Sequence, residues 1–456
     1  MKASIVKDKI VYKNQKARID DLFDEDFYKY SDTRAEDFYN ETYGVNDIFN
    51  NVIQFYLSIE KWVKDNHPNR IDIKHADERY YFFAKDICEK NRIYADGSKP
   101  FCKEKTWIVF QWTLLSSTLY FIYCLLRIPY RNDLNKTDKF AVVRTKASIK
   151  KFKKFSEISQ EVESFFEKDS IYRLFPKIKR IGWAIKGYRN SFKTFTQMES
   201  FYAPLLGKHF KYALMGFYQR RIVYAEIYKQ LLDNYFPHFE GADFYTGNNL
   251  DRYSVIEDQM CKKYGIKSYC IPHGIEYGFK FPKGFSCDVF YVHSQYTANF
   301  LNRLYNTEKY VYDESIIRRM FEYHYNKPHE QMVIFFTEPR EVNVNIEIVD
   351  TLLPKLKKDG IKLYLKLHPG DNKSNYEGKD VDYITDYDLS MTGNICISRK
   401  STILIEAIYN HSIPVAIITN PKDQTMFTLF PSLNAEQIIK TYSVDELYEV
   451  IKKNKK

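Results

Sequence analysis

Two short stretches of this chain place phosphate-binding residue types at the ends of strands. In the first, residues 361–367, Ile361, Leu363, Leu365 and Leu367 alternate with Lys362, Tyr364 and Lys366. That is the pattern of a half-buried strand. Pro369 and Gly370 stop it and leave His368 at its carboxyl end. In the second, the apolar run 394–397 stops at Ser398, Arg399, Lys400, Ser401 and Thr402 and passes into a helix carrying Glu406 and Ala407. Ligands of open α/β sheets bind beyond the carboxyl ends of strands. The unpaired N–H groups and dipole of a helix N-terminus favour an anion there. One imidazole, two hydroxyls, two cations and a helix start therefore predict a phosphate cradle, the seat of a nucleotide-activated donor.

Other residues fit around that cradle. His273 lies between Pro272 and Gly274 after a strand, the position of a general base facing a cleft; a turn histidine bonded locally is the plainer alternative. Glu276, three residues on, is either the base or the group that orients the imidazole. Asp251 is a weaker candidate, since an Asp there also caps a helix. Arg340, next to Pro339, would neutralise donor phosphates, or pair with a surface carboxylate. Ser398, Ser401 and Thr402 serve equally as helix caps, and Glu406 would reach ribose hydroxyls or remain a first-turn carboxylate. Asp423 is a minor candidate. Asp386 and Asp388 form an Asp-x-Asp triplet in an acidic loop, which reads as a solvated turn before a metal site. There is no P-loop, GxGxxG or HExxH. No metal and no cofactor is expected.

Elements must hold these residues in place, and composition bounds them. A chain of 456 residues is long for one core, and its 44% hydrophobic content is that of a globular protein. The net charge of +10 suits a phosphorylated substrate or an anionic membrane surface. Seven scattered cysteines without CxxC or zinc spacing imply reduced thiols in a cytosolic protein, and residues 1–9 lack a secretory signal core. Residues 1–45 are polar and acidic and read as a loosely ordered or partly helical lead-in. A helix is expected over 45–64. Strands are expected near 70–74, 140–143, 241–245, 267–271 and 288–292, with mostly helical chain over 155–235. The strand at 70–74 reads as the opening of a Rossmann-like unit. Domain boundaries follow: 46–304 an acceptor-side Rossmann-like domain with a helix-rich beginning, 305–330 a polar linker, 331–456 a donor-nucleotide domain. The fold class is α/β, with two parallel-sheet Rossmann-like domains facing a cleft.

Residues 106–126 carry no charge over 21 positions, with Lys103 and Lys105 before and Arg127 and Arg131 after. The length suffices to cross a bilayer. Gln111, Thr113, Ser116, Ser117 and Thr118 make the middle polar. A span would put strands of one domain on opposite sides of the membrane. A buried or interfacial helix is therefore expected, with Trp107 and Trp112 as interface anchors.

With these motifs in hand, a family resemblance appears over residues 240–420. His368-Pro369 and Ser398 to Thr402, followed by Glu406-Ala407, resemble the His-Pro and Ser-Ser/Thr motifs of bacterial sialyltransferases and polysialyltransferases. The order Pro272-His273-Gly274, Pro339-Arg340, His368-Pro369, Ser401-Thr402 is similar to CDP-glycerol glycerophosphotransferases of teichoic-acid synthesis. The sialyltransferase base motif, two acidic residues then Gly, is absent; Phe239-Glu240-Gly241 is the nearest match. The resemblance implies the GT-B fold and an inverting, metal-independent glycosyltransferase. It would build a bacterial surface glycan, capsule or lipooligosaccharide, from a nucleotide-sugar donor, CMP-linked first. It also implies a glycan or glycolipid acceptor, peripheral contact with the cytoplasmic face of the membrane and no nucleic-acid partner. By the same analogy His368 and Ser401 hold the CMP phosphate. The alternatives are a polyol-phosphate transferase and a non-catalytic nucleotide-fold protein of glycan assembly.

Overall fold

The computed structural model describes residues 2–22, 53–97, 103–209, 211–212, 221–248, 252–271, 286–323, 325, 327–339, 341–428 and 430–455. The chain divides into two compact units, the first ending at Asp288 and the second beginning at Val289, with 271–279 belonging to the second. This division falls ahead of the 305–330 stretch expected as a linker, which holds a short strand, Tyr310–Val311, and the helix Glu314–Phe321.

In chain order the strands are β1 Lys2–Lys7, β2 Lys9–Tyr12, β3 Gln15–Arg18, β4 Arg70–Ala76, β5 Tyr94–Asp96, β6 Lys139–Val143, β7 Ser159–Val162, β8 Asp243–Thr246, β9 Lys267–Cys270, β10 Val289–Tyr291, β11 Tyr310–Val311, β12 Val333–Phe336, β13 Leu363–Lys366, β14 Asp382–Tyr383, β15 Ile395–Ser398, β16 Ile413–Ile417 and β17 Ile439–Thr441. They form three sheets.

The N-terminal sheet corrects two expectations. Residues 2–18 are not a loose lead-in but two hairpins, β1–β2 and β2–β3, and β4 pairs in parallel with β1. Ala3, Ile5, Ile10 and Tyr12 alternate inward and are buried. Lys13 and Asn14 take positive φ in the two-residue turn that the strand twist favours. The alternation was blurred by Val6 and Val11, apolar residues on outward positions. β4 therefore belongs to a sheet of its own, order β3-β2-β1-β4-β5, rather than opening the next one.

The other two sheets are the expected doubly wound kind. One has the order β7-β6-β8-β9-β10-β11, the other β14-β13-β12-β15-β16-β17. In order of appearance these read 2-1-3-4-5-6 and 3-2-1-4-5-6, the two common arrangements of Rossmann-like domains. In the second, β12 is buried at every residue because helices cover both faces: Val333 and Phe335 pack on one side with Ile348, Leu352 and Leu447, while Ile334 and Phe336 pack on the other with Met391 and Ala407. The expected strands at 361–367 and 394–397 thus fall where β13 and β15 lie. Gly360, at φ +66°, makes the turn into β13 after the helix Val342–Lys358.

Candidate active site at the carboxyl edge of the second doubly wound sheet

The strand ends converge here. Phe336 pairs with Lys366 and Phe335 with Ile397, so β12, β13 and β15 finish in one row. β12 separates the other two, which places the starts of the His368 and Ser401 loops roughly 10 Å apart, two strand spacings. The point where the strand order reverses lies between β12 and β15, the place where such sheets take ligands.

The loop after β12 ties both neighbours down. Thr337 N–H donates to the Lys366 carbonyl at 3.0 Å, and Thr337 Oγ1 accepts the His368 N–H at 3.1 Å. Next to it Glu338 Oε1 accepts the Lys400 N–H at 2.8 Å, and the Glu338 carbonyl accepts Asn345 Nδ2 at 2.8 Å. Thr337 and Glu338 are both buried. Burial pushes the Glu338 carboxyl up, with Lys400 and Arg399 opposing.

His368 itself is exposed, and its ring is fixed. Nδ1 accepts the Gly370 N–H at 3.0 Å, so the neutral ring carries its hydrogen on Nε2. Desolvation lowers the imidazole pKa from its ordinary value, with Asp371 opposing, which keeps the ring neutral at physiological pH. Asp371 is held in turn by Tyr376 Oη and Asn375 Nδ2, each at 2.8 Å. A Cβ on Gly370 would come within 3.1 Å of Pro339 Cβ and 3.4 Å of His368 Nδ1. Glycine is what lets these two loops touch.

The two cations expected to meet phosphate are engaged elsewhere. Arg399 is fully buried and gives Nε and one Nη to the two oxygens of Asp423, at 2.6 and 2.8 Å. The same guanidinium bonds Glu341 Oε2 at 2.6 Å. Lys400 Nζ lies 2.5 Å from Asp423 Oδ1 and 3.4 Å from Glu341. Burial alone would raise the Asp423 carboxyl; the hydrogen bond and charge of Arg399, then Lys400, hold it below the ordinary carboxylate value. Asp423, a minor candidate by sequence, is the centre of the network.

The remaining site residues divide. Ser398 closes β15 with its hydroxyl buried and without a hydrogen-bond partner among the described residues. Ser401 and Thr402 are half-buried at the start of the helix Ile403–Tyr409; Ser401 Oγ accepts the Ile403 N–H at 3.4 Å, and the Thr402 side chain makes no cap bond. Pro369 is exposed. Glu406 is buried, and its Oε2 accepts Tyr387 Oη at 2.8 Å and Tyr323 Oη at 3.0 Å. Asp386 caps the helix Tyr387–Met391 by accepting the Leu389 N–H at 3.0 Å, which accounts for the first acid of the Asp-x-Asp triplet. Asp251, His273, Glu276 and Arg340 lie outside the described residues.

A second polar cluster sits at the switch point of the first doubly wound sheet, and sequence reasoning passed over it. Arg144, directly after β6, bonds Glu257 Oε1 at 2.9 Å, and Thr246, which ends β8, donates to Glu257 Oε2 at 2.6 Å. Tyr228 Oη adds a bond to Oε1 at 2.7 Å, and the guanidinium lies 4.0 Å from the Tyr253 ring centroid. The available signal was position alone: an Arg and a Thr at two strand ends. Metal-type donors come together at Asp86, Glu89 and His209, within 4.8 Å of one another. Lys208 Nζ already sits 2.6 Å from Glu89, and Asp86 accepts the His209 N–H at 3.0 Å, so the group ties a loop to a helix.

No protein-family profile matches this chain, and no curated protein sequence matches it. Among solved structures it is similar to a UDP-GlcNAc 2-epimerase of Methanocaldococcus jannaschii in complex with UDP-GlcNAc and UDP. The TM-score is 0.37 at 9% identity, covering 70% of this chain and 93% of the other.

Proposed function

We propose that this chain is an enzyme of nucleotide-sugar chemistry: an inverting glycosyltransferase of GT-B type that takes a CMP-linked sugar and extends a bacterial surface glycan. The observation that carries the reading is the imidazole of His368, held neutral with its hydrogen on Nε2 at the end of β13, one strand from the reversal point of a 3-2-1-4-5-6 sheet. Such a group donates a hydrogen bond to a phosphate oxygen without needing a charge.

In this reaction His273 or Glu276 takes the proton of the acceptor hydroxyl. The acceptor oxygen bonds to the anomeric carbon as the bond from that carbon to the donor phosphate oxygen breaks. The nucleotide leaves with the electron pair, met by His368 Nε2–H, Ser401 with Thr402, and Arg340. Local charge weighs toward a single phosphate: Glu338, Glu341 and Asp423 already offset Arg399 and Lys400. That favours a CMP-sugar over the CDP-linked donor of a polyol-phosphate transferase.

The test is mass spectrometry after incubation with CMP-, CDP-, UDP- and GDP-linked sugars. Release of CMP by the wild type, lost in His368→Ala at unchanged melting temperature, supports the proposal. Unimpaired release by the variant sinks the site, and binding without turnover of any donor sinks the activity.

A further inference from the structure

The helix Lys103–Arg127 has an outward face unlike that of a soluble body. Phe110, Leu114, Phe121 and Leu125 point inward and are buried. On the opposite side Ile108, Trp112, Leu115, Leu119, Tyr123 and Leu126 form a stripe at helical spacing, with Trp112 68% and Leu119 58% exposed. No charge interrupts positions 106–126, and only 39% of the apolar segment is buried. Isolated exposed apolar residues need no explanation, but a continuous stripe does. Over 21 residues it runs for about 31 Å.

A membrane span is ruled out by the neighbouring helix, Lys177–Leu206. The two run antiparallel: Phe110 meets Phe195 with ring centroids 4.7 Å apart, and at the other end Arg180 donates to the carbonyls of Leu125 and Ile128 at 2.7 and 3.0 Å. Lys186 and Arg189 therefore lie alongside the middle of the apolar helix, and Lys186 bonds Gln230 Oε1 at 3.0 Å. Submerging the pair would carry these cations to the centre of the hydrocarbon, where each is costly. A wholly buried core helix is excluded by the exposed stripe itself.

We propose that this face docks onto an anionic lipid bilayer, with the helix lying in the headgroup plane and Trp112 and Leu119 entering the acyl boundary. Charge selects the occupant. Arg127, Lys177, Lys179, Lys186, Arg189 and Lys193 are exposed on the two helices, against the half-buried Glu199. Anionic headgroups complement that excess. A second copy of the chain, docked through the same face, would set cations against cations. The inference stands apart from the chemistry assigned to His368.

The experiment uses the full chain with vesicles of phosphatidylcholine, with and without phosphatidylglycerol. Sedimentation with the anionic vesicles is expected, weakening as salt rises. The emission of Trp112, the most exposed of the three tryptophans compared (Trp107 is 37% and Trp183 5% exposed), should shift to the blue. The double variant Trp112→Arg/Leu119→Arg should lower partitioning about a hundredfold at unchanged melting temperature, since both side chains are exposed. Arg127→Gln should lower it about fivefold. Three results would each overturn the proposal: no binding to anionic vesicles, wild-type binding by the double variant, or a concentration-dependent dimer that the double variant abolishes while vesicles are ignored.

Discussion

Arg399 and Asp423 form a two-pronged ion pair from which both side chains are completely shielded from water. They stand 24 positions apart in sequence, and the pair joins the loop after β15 to the helix Pro421–Thr428 that follows β16. A buried pair of this kind is a matched commitment: each charge is tolerated because the other is present. Asp423→Ala should cost about 3–5 kcal/mol, because it takes two charged hydrogen bonds from a buried guanidinium and leaves it to Glu341. The double replacement Arg399→Met/Asp423→Leu should cost less than either single change. Urea denaturation of the three variants checks this, and additive losses would refute it.

Asp423 and Glu338, which follows β12, give the protein an acid limb and an opposing one. The Asp423 carboxyl is held down in the folded state, so its stabilisation is full above the unfolded value of about 3.9 and is lost as pH falls through the lower folded value. The Glu338 carboxyl is pushed up, so the folded state keeps its proton longer than the unfolded one. Stability then declines as pH rises from about 4.3 toward the raised folded value. Glu338→Gln keeps the acceptor for the Lys400 N–H and removes the charge. Its melting temperature should gain on the wild type as pH rises from 4 to neutrality, and parallel curves across that window would count against this account.

His368 and Gly370 should act as one unit. Removing the imidazole takes away a donor that matters when charge develops on the leaving phosphate, and His368→Ala should lower kcat for donor cleavage about 10²–10³-fold. Gly370→Ala leaves the imidazole present but drives a methyl toward Pro339 and Nδ1, so it should misplace the ring and cost roughly tenfold by itself. Combined, the two changes should cost no more than His368→Ala. Steady-state kinetics on the three variants reads this directly, and a fully multiplicative loss would mean the glycine acts elsewhere.

What the sequence made legible was the strand ends. β12, β13, β15 and β16 end within a residue or two of where their apolar runs give way to polar residues, because a covered parallel strand must be apolar and its exit must turn. The partners of those exits were not legible. Arg399 and Lys400 read as open cations because Glu341 and Asp423 stand 58 and 24 positions from Arg399 and meet it only through the sheet register. The helix at 106–126 was ambiguous for a related reason. A segment apolar on every side has no periodicity to say which face is covered, and only the packing of Phe110 on Phe195 decides it. The N-terminal hairpins escaped because four inward residues, Ala3, Ile5, Ile10 and Tyr12, were too few to stand out beside the outward Val6 and Val11.

Glu406 separates a ribose contact from a structural one. By its place one turn into a helix it suits a ribose hydroxyl, yet its carboxylate accepts both Tyr323 and Tyr387 in a buried pocket. Burial, and then the charge of Glu406, push both phenols far above their ordinary values, so each remains a hydrogen donor at any pH the fold survives. Those two bonds tie the helix Ile403–Tyr409 to the residues around Tyr323 and to the helix Tyr387–Met391. Hydrogen bonds to a charged group contribute about 1.5–3 kcal/mol each, so Glu406→Gln should lower stability by an amount in that range. Tyr387→Phe should cost less and add little on top of Glu406→Gln, since both remove the same bond. The nucleotide-sugar KM should move less than twofold in either variant. A large rise in KM at unchanged stability would instead make Glu406 a ribose ligand and require these tyrosines to give way when the donor binds.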